Sequence, residues 1–288
     1  MGARLIAEIG GSSSRWAFIP VSGDPLIFPR AGEVLPGYNP LSGDAGIFSN
    51  GVKEYFDRNC AQVFEAVELN VYGAGCGTAE RQDLMSGALR TLWPEAKIAV
   101  DSDLMAAALG LCDGSPALVV ILGTGMNAGH FDGRVLHRPM PSLGYILGDE
   151  GSGADIGKTL LQDAFYRRMP PDVMEVIFGT TTIDVAALVN EIYRSPFPAR
   201  TLAARTARLV PIIERPYVRD LVMGRFHALA ELLKEFFSPE QRNEAFATGS
   251  VAFGLRDLLA ECLSDHGISL VRVEKDPLAG LIKVLPRR

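Results

Sequence analysis

Two stretches of the chain share one pattern of apolar and small polar positions. Residues 4–20 (RLIAEIGGSSSRWAFIP) and 117–133 (ALVVILGTGMNAGHFDG) each contain an apolar strand, a turn of small residues and a shorter second strand. Apolar segments on both sides of such a turn predict a β-hairpin. Because the pattern occurs once in each half of the chain, it suggests two similar domains.

Between and after the hairpins, strand patterns alternate with helical ones. Further strands are predicted at 68–75, 97–101, 243–250 and 268–273. Helical spacing is found at 52–67, 82–93, 102–111, 154–168, 184–194, 199–209, 216–237, 251–267 and 276–285. This alternation predicts the α/β class, and the helical stretch 154–237 predicts an insertion or a domain face. A chain of 288 residues has room for one large or two medium domains.

The charge and the cysteine and histidine positions exclude several classes of function. A net charge of −6 argues against nucleic acid as the main partner. The four cysteines and four histidines are dispersed along the sequence, which argues against a zinc site and favours reduced thiols. Neither a signal-peptide pattern nor a membrane-length apolar run is found, so we expect a cytoplasmic protein with no membrane partner.

Two familiar nucleotide motifs are present only in imperfect form. The segment YILGDEGSGADIGKT (145–159) ends like a P-loop, but Ser152 stands where a P-loop needs glycine. Acidic Asp149 and Glu150 at its mouth would repel phosphate. The spacing Gly123-x-Gly125-x-x-Ala128 imitates a dinucleotide fingerprint, but a second strand is predicted where that fingerprint needs a helix.

Six motifs in order carry a family resemblance. They are EIGGSS (8–13), GYNP (37–40), SDLMAAA (102–108), LGTGMN (122–127), PSLGYILGDEGSGADIGK (141–158) and ATGSVA (247–252). The set resembles the N-acetylglucosamine kinase and BadF/BadG/BcrA/BcrD ATPase branch of the actin/hexokinase/Hsp70 superfamily. It covers most of the chain and keeps the motif order of that branch.

The resemblance implies an α/β fold of two actin-like (ribonuclease H-like) domains with an ATP and substrate cleft between them. We expect an N-terminal domain at 1–108 and a C-terminal domain at 109–288, with the last helix packing back on the first domain. The implied activity is ATP- and Mg²⁺-dependent phosphorylation of an N-acetylated amino sugar, most like N-acetylglucosamine. A homodimer is compatible with the resemblance.

The two hairpin turns are the candidate phosphate sites. Loops of Gly, Ser and Thr let the backbone approach phosphate closely, and their hydroxyls donate hydrogen bonds. The alternative for each is an ordinary tight turn. The resemblance assigns nucleotide binding to Gly10, Gly11, Ser12, Ser13, Gly123, Thr124 and Gly125, and adenosine contact to Gly249 and Ser250.

Carboxylates supply the candidate catalytic and metal sites. Asp103 follows a predicted strand and opens a helix, where the helix dipole keeps a carboxylate ionised and able to accept a proton. The resemblance makes Asp103 the base, with Asp101 as the competing choice. Glu8 stands where the family usually has an Asp near Mg²⁺, or it is an edge-strand residue that points outward.

The remaining polar motif residues are candidates for the sugar. Sugar sites pair carboxylates and amides with vicinal hydroxyls. The resemblance assigns this role to Asn39, Thr124, Asn127, Gly144 and Asp149, although both asparagines also suit plain turns. Lys158 is then expected on a helix face. Gly280 permits close approach of either a nucleotide or a neighbouring helix.

Two other functions remain open at this stage. A BadF-type ATPase activator needs cysteines for a shared iron–sulfur cluster, and Cys76 is the candidate. A sugar sensor of the same fold would have lost catalysis, and the Glu8 substitution keeps that reading open. Since no helix-turn-helix segment precedes residue 4, a DNA-binding repressor is not expected.

Overall fold

A computed structural model describes residues 2–285 of the chain. The chain divides into two compact units, one formed by residues up to 113 with the segment from 277 onward, the other by residues 114–276. The first boundary therefore lies five residues beyond the one expected from sequence, and the C-terminal segment belongs to the first unit.

The first unit is built on a six-stranded sheet. Its strands are β1 (Arg4–Ile9), β2 (Ser13–Ile19), β3 (Leu26–Phe28), β4 (Leu35–Pro36), β5 (Glu68–Gly73) and β6 (Lys97–Ser102). Its helices before residue 113 are α1 (Ala45–Asn59), α2 (Ala79–Arg90) and α3 (Asp103–Leu111). The strand order is β3-β2-β1-β5-β6, with β4 paired to β2. β1 and β2 form the predicted hairpin, while β1, β5 and β6 run parallel.

Strand β1 is apolar on both faces because each face of the sheet is covered. Leu5, Ala7 and Ile9 join a core that includes Trp16 and residues of α1 and α2. Ile6 faces the other way, into a smaller core with the C-terminal helix. A strand covered on both faces has a continuous apolar run, which here extends from Leu5 to Ala7, whereas Arg4 and Glu8 are partly buried polar residues.

The second unit holds a five-stranded sheet and most of the helices. Its strands are β7 (Ala117–Leu122), β8 (Met126–Phe131), β9 (Leu136–His137), β10 (Glu244–Thr248) and β11 (Ser269–Glu274), in the order β11-β10-β7-β8-β9. Its helices are α4 (Gly144–Leu147), α5 (Gly153–Phe165), α6 (Pro171–Phe178), α7 (Val185–Tyr193), α8 (Pro198–Ala203), α9 (Pro216–Phe236), α10 (Ser250–Gly254) and α11 (Arg256–Asp265). The chain ends with α12 (Leu278–Val284).

One large core holds the second unit together. It joins Leu118, Val120 and Leu122 of β7 to Ile156 of α5 and to the buried face of α9, which includes Phe226. The second predicted hairpin is present as β7 and β8, so residues 126–131 form a strand and not the helix of a dinucleotide fingerprint. Within residues 2–285, no helix is long and apolar enough to cross a bilayer.

Several predicted helices have different bounds in the structure, and two of them show why. The helix expected at 52–67 begins at Ala45, because the Asp44 carboxylate caps it by accepting the Ile47 amide at 2.8 Å, and it ends at Asn59 before a short 3₁₀ helix, Ala61–Glu65. The helix expected at 251–267 is broken at Leu255 into α10 and α11. Gly254 precedes that break, where its low helix propensity weakens the pattern.

A close backbone contact fixes α12 on α3. A Cβ atom on Gly280 would lie 1.8 Å from the carbonyl oxygen of Gly110, and one on Gly110 would lie 2.6 Å from the carbonyl oxygen of Pro277. The two helices therefore touch through glycines. Of the two roles that the sequence allowed for Gly280, the structure shows the close approach of a neighbouring helix.

This contact makes substitution of Gly280 costly. We expect Gly280→Ala to destabilise the first unit by about 2 kcal/mol, because the added methyl group meets backbone that cannot move aside. Chemical denaturation measures the change. The matched control is Gly87→Ala in α2, where the Cβ has no neighbour within 4 Å. That variant should gain about 0.5–1 kcal/mol from helix propensity. Equal effects of the two substitutions would contradict the assigned contact.

Candidate active site

The turn of the first hairpin is held by backbone contacts. The amide of Gly10 donates to the Ser13 carbonyl at 2.9 Å, and the Gly10 carbonyl accepts from the Tyr38 amide at 3.0 Å. A Cβ on Gly37 would lie 2.2 Å from the Gly10 oxygen and 2.4 Å from the Ser13 nitrogen. Only glycine at position 37 lets the GYNP segment lie directly against the turn.

This contact brings Asn39 to the turn. Its side chain lies against Gly75, where a Cβ would be 2.3 Å from the Asn39 Oδ1 atom. Oδ1 accepts from the Leu41 amide at 3.0 Å. Among the described residues, no hydrogen bond is formed by the Nδ2 atom, so the Asn39 amide can donate to a ligand. Asn39 is thus both the turn residue and the candidate ligand that the sequence allowed.

Parallel pairing places Asp103 at the same edge of the sheet. Ile9 of β1 aligns with Gly73 of β5, and Gly73 aligns with Ser102 of β6. The residues that follow β1, β5 and β6, including the 10–13 turn and Asp103, therefore all lie at the carboxyl edge of this sheet. Two strand spacings put β1 and β6 about 10 Å apart at this edge.

Asp103 is the first residue of α3, and it is not the helix cap. The cap is Ser102, whose hydroxyl accepts from the Met105 amide at 3.2 Å. The Asp103 Oδ1 atom accepts from the Leu104 amide at 2.8 Å, and the side chain is half-buried. A helix N-terminus favours the ionised carboxylate, which is the form a general base requires.

Asp101 and Glu8 lie one step back from the edge, within the strands. In register they stand on either side of Tyr72, and Glu8 faces Arg15 on the other neighbouring strand. Burial raises the pKa of Tyr72 to about 12, and the charge of Asp101 adds to the shift. Alternation puts Glu8 on the same face as Ile6, at the carboxyl end of β1. Carboxylate oxygens near this edge are the donors that Mg²⁺ prefers, so these residues fit that ion.

Cys76 is buried in the turn that follows β5. Burial raises the pKa of its thiol to about 12, and the carboxylates of Asp103 and Asp101 add to the shift. The thiol is fully enclosed and therefore protonated.

The turn of the second hairpin touches the predicted adenosine segment. The Gly123 amide donates to the Gly125 carbonyl at 3.0 Å and closes the turn. Gly249 has φ +110°, and a Cβ there would lie 2.3 Å from the Leu122 oxygen and 3.1 Å from the Gly123 nitrogen. β7 and β10 are parallel, so this contact again occurs where neighbouring strands end. Two segments far apart in sequence therefore form one surface.

A cavity of about 270 Å³ opens beside this surface. Its lining residues include Gly123, Thr124 and Ser250, which are predicted from the sequence to bind the nucleotide. The others are Gly153, Arg200, Ala203, Ala204, Thr206, Ala207, Val210, Val251 and Leu255. The segment 200–210 contains no recognisable motif. Its several small residues are the one sequence feature that is compatible with a ligand-binding wall.

Asp149 lies under the same turn. Its backbone is left-handed, with φ +65°, and a Cβ on Gly125 would come within 2.8 Å of its Oδ2 atom. Burial raises the pKa of Asp149 to about 6, and the charges of Glu150 and Asp155 act in the same direction, against the Met126 amide that donates to it. The carboxylate is mostly ionised at neutral pH and can accept hydrogen bonds from hydroxyl groups.

The loop that carries Asp149 is anchored by an ion pair. The buried Asp155 Oδ2 atom accepts from the Gly151 amide at 3.0 Å and from the Arg225 Nε atom at 2.7 Å. Phe226 of α9 packs against Gly151. Lys158 lies on α5, 3.8 Å from Asp155, which agrees with a helix-face residue and not with a P-loop lysine.

Asn127 and Gly144 are the two remaining candidate sugar residues of the second unit. Asn127 is half-buried on β8, and because Met126 and Ala128 face the helical core, its side chain projects from the opposite face of the sheet. Gly144 begins α4 with φ +70°, and a Cβ there would meet no atom within 4 Å. Their roles stay predictions.

Comparison with known proteins identifies the family. No family model matches the chain. A solved structure from Porphyromonas gingivalis, provisionally titled an N-acetylglucosamine kinase, is 30% identical over 97% of both chains, with a TM-score of 0.86. The chain belongs to the N-acetylglucosamine kinase family.

Two other proteins are similar to this chain at lower identity. An N-acetylmuramic acid/N-acetylglucosamine kinase of Clostridium acetobutylicum is 28% identical over 170 residues, 57% of this chain. The alignment spans about half of that relative, 54% of its length. The ROK-family glucokinase of Streptomyces griseus, solved with glucose and AMPPNP, has the same fold at 15% identity, with a TM-score of 0.57 over 99% of this chain and 97% of its own.

The anchor of the Asp149 loop can be tested by mutation. We expect Arg225→Ala to destabilise the second unit by about 2 kcal/mol, because the buried Asp155 carboxylate loses its nearest cation and keeps only Lys158, 3.8 Å from its other oxygen. Thermal unfolding measures the loss. Arg219→Ala is the matched control on α9, since its partner Glu261 is exposed, and it should leave the melting temperature nearly unchanged. An Arg225 variant as stable as the control would show that the ion pair does not anchor the loop.

Proposed function

We propose that the protein is an ATP-dependent kinase of an N-acetylated amino sugar, with N-acetylglucosamine as the preferred substrate. The observation that carries this proposal is the contact of the 123–125 turn with Gly249 beside the 270 Å³ cavity. The chain is 30% identical to the P. gingivalis protein, which supports a kinase function. A kinase needs a nucleotide site, and the glycine turn beside the cavity could form one. A homodimer and a cytoplasmic location remain predictions from sequence.

The nucleotide is proposed to use the second glycine turn and the cavity beside it. Backbone amides at 123–125 would donate to phosphate oxygens, since glycine allows close approach. The turn at 10–13 in the first unit has a similar composition and is proposed for the same chemistry. Adenosine would enter the cavity, whose walls include Ala203, Ala207 and Leu255. Small apolar residues leave room for a flat base and exclude water around it.

Each unit offers one candidate residue for the sugar. In the first unit the Asn39 amide can donate to a hydroxyl or carbonyl oxygen of a sugar, and in the second the Asp149 carboxylate can accept from sugar hydroxyl groups. Asp103 would accept the proton of the sugar hydroxyl as the oxygen of that hydroxyl attacks the phosphoryl group.

A divalent ion has a place in this proposal. Glu8 would hold Mg²⁺, directly or through water, at the carboxyl end of β1. When bound, the ion neutralises phosphate charge that develops during transfer. Glu8 lies two residues before the turn, and its extra methylene relative to aspartate extends its reach toward the edge.

A panel assay tests the proposed function. ATP consumption is coupled to an optical signal with N-acetylglucosamine, N-acetylmuramic acid, N-acetylmannosamine, glucosamine and glucose as acceptors. We expect N-acetylglucosamine to give the highest kcat/KM. Absence of turnover with every N-acetylated sugar would contradict the proposal, and calorimetric sugar binding without turnover would favour the sensor function.

N-acetylmuramic acid is a second candidate substrate because the C. acetobutylicum relative is named for both sugars. It differs by a lactyl group, so the distinction depends on space beside one hydroxyl. The iron–sulfur activator finds less support, because Cys76 belongs to no group of three metal-ligating side chains within residues 2–285. Iron–sulfur clusters are usually held by four cysteine thiolates, so a cluster shared by two subunits would need two cysteines from each.

Two neighbouring carboxylates allow a direct test of the base. We expect Asp103→Asn to lower kcat by about 10³-fold with a small change in the KM for sugar, because the amide cannot accept the proton. Asp101→Asn is the comparator one step inside β6 and should keep most of the activity. Steady-state kinetics of both variants decide between them. Loss of kcat only in the Asp101 variant would reverse the assignment.

The raised pKa of Asp149 predicts a pH dependence of sugar binding. Below about pH 6 the carboxyl is protonated and accepts hydroxyl hydrogen bonds poorly, so the KM for sugar should rise as the pH falls through this value. The effect should approach tenfold per pH unit well below the pKa. Asp149→Asn should bind weakly at every pH and lose this limb of the profile. A flat wild-type profile from pH 5 to 7 would contradict the role of Asp149.

A further inference from the structure

Three metal-ligating side chains of the second unit meet outside the candidate active site. They are His227 of α9, Cys262 of α11 and His266, which caps α11. The His227 Nδ1 atom lies 2.9 Å from the His266 Nε2 atom and 3.4 Å from the Cys262 Sγ atom, and all three atoms are within 4.8 Å of one another. The dispersal of these residue types along the sequence argued against such a group, but packing of two helices assembles it.

A carboxylate orients the cluster from outside. The Glu231 Oε1 atom lies 3.0 Å from the His266 Nδ1 atom. Since a carboxylate accepts, this contact places a proton on Nδ1 and leaves the Nε2 lone pair pointing at His227 and Cys262. A ligating histidine commonly has this arrangement, because the second ring nitrogen fixes the tautomer.

The spacing of the three atoms suits a tetrahedral ion. Ordinary Zn–N and Zn–S lengths place two nitrogen ligands about 3.3 Å apart and a nitrogen and sulfur about 3.6 Å apart. The observed 2.9 and 3.4 Å are each shorter by less than about 0.5 Å. Small side-chain rotations would therefore open the cluster around an ion without moving either helix.

The surroundings of the cluster also favour a cation. Cys262 is fully buried, whereas the His266 side chain is 14% exposed, so an ion could keep one water ligand. Asp265 and Glu261 of α11 add negative charge around Cys262, which favours a cation. The thiol proton would pass to solvent when the sulfur binds a metal ion.

We propose that His227, Cys262 and His266 bind one Zn²⁺ ion, with water as the fourth ligand, and that the ion ties α9 to α11. Imidazole and thiolate together select zinc over magnesium or calcium. The site belongs to the second unit and needs no residue of the proposed kinase chemistry.

The test uses the full chain stripped of metal and titrated with Zn²⁺ alone. Elemental analysis gives the stoichiometry, a chromophoric chelator gives the affinity, and Co²⁺ substitution reports thiolate ligation by its charge-transfer absorption. We expect one Zn²⁺ per chain and a melting temperature raised by about 5 °C at 100 times Kd. His227→Gln and Cys262→Ser should each weaken binding more than about 100-fold, and Glu231→Gln about tenfold.

Two controls separate this cluster from other thiols and histidines. Cys60→Ser removes a thiol elsewhere, and His137→Gln removes a histidine that pairs with Asp132 and stacks near His130. Both should bind Zn²⁺ as the wild type does. If Cys262→Ser fails to fold, the His227 variant and the cobalt spectrum of the wild type still decide. Failure of the wild type to bind one equivalent, a cobalt spectrum without thiolate, or loss of binding only in His137→Gln would overturn the proposal.

Discussion

Direct contact between backbone segments at the carboxyl edge of each sheet is the constraint on which the candidate site depends. In the first unit the Gly37 backbone lies on the 10–13 turn, and in the second Gly249 lies on the 122–123 peptide. A methyl group at either position would overlap main-chain atoms. These contacts hold each turn in one shape, which is what a loop must have before its amides can converge on phosphate.

The carboxylates of the two units have different electrostatic surroundings and therefore different roles. Asp155 is neutralised by Arg225 and anchors a loop, so it is structural. Asp149 on that loop is buried, and this burial raises the pKa of its carboxyl group. Asp103 begins a helix, where the dipole favours its charge. Each role follows from the surroundings of the carboxylate, not from its residue type.

The sequence predicted the parts of the fold that local pattern determines. Both hairpins, the strand-to-helix step at Ser102–Asp103 and the alternation of strands and helices are present as expected. Helix bounds were less predictable, because the Asp44 cap and the break at Leu255 depend on single residues. The domain boundary predicted after residue 108 lies within α3, and the compact units divide after residue 113.

Contacts between distant residues were beyond sequence reasoning. Asp155 and Arg225 are 70 positions apart, and no pattern links them. The same holds for the wall of the cavity formed by 200–210 and for the two histidines that join Cys262. Such pairs are defined only when the helices of the second unit pack, so the sequence showed neither their partners nor their roles.

The most direct measurement is a crystal structure of the protein with N-acetylglucosamine and a non-hydrolysable ATP analogue. The account predicts phosphate oxygens within hydrogen-bonding distance of the backbone amides at 123–125, adenosine in the cavity beside Gly249, and the sugar hydrogen-bonded to Asp149. A nucleotide bound away from that turn, or a sugar that does not reach Asp149, would contradict it.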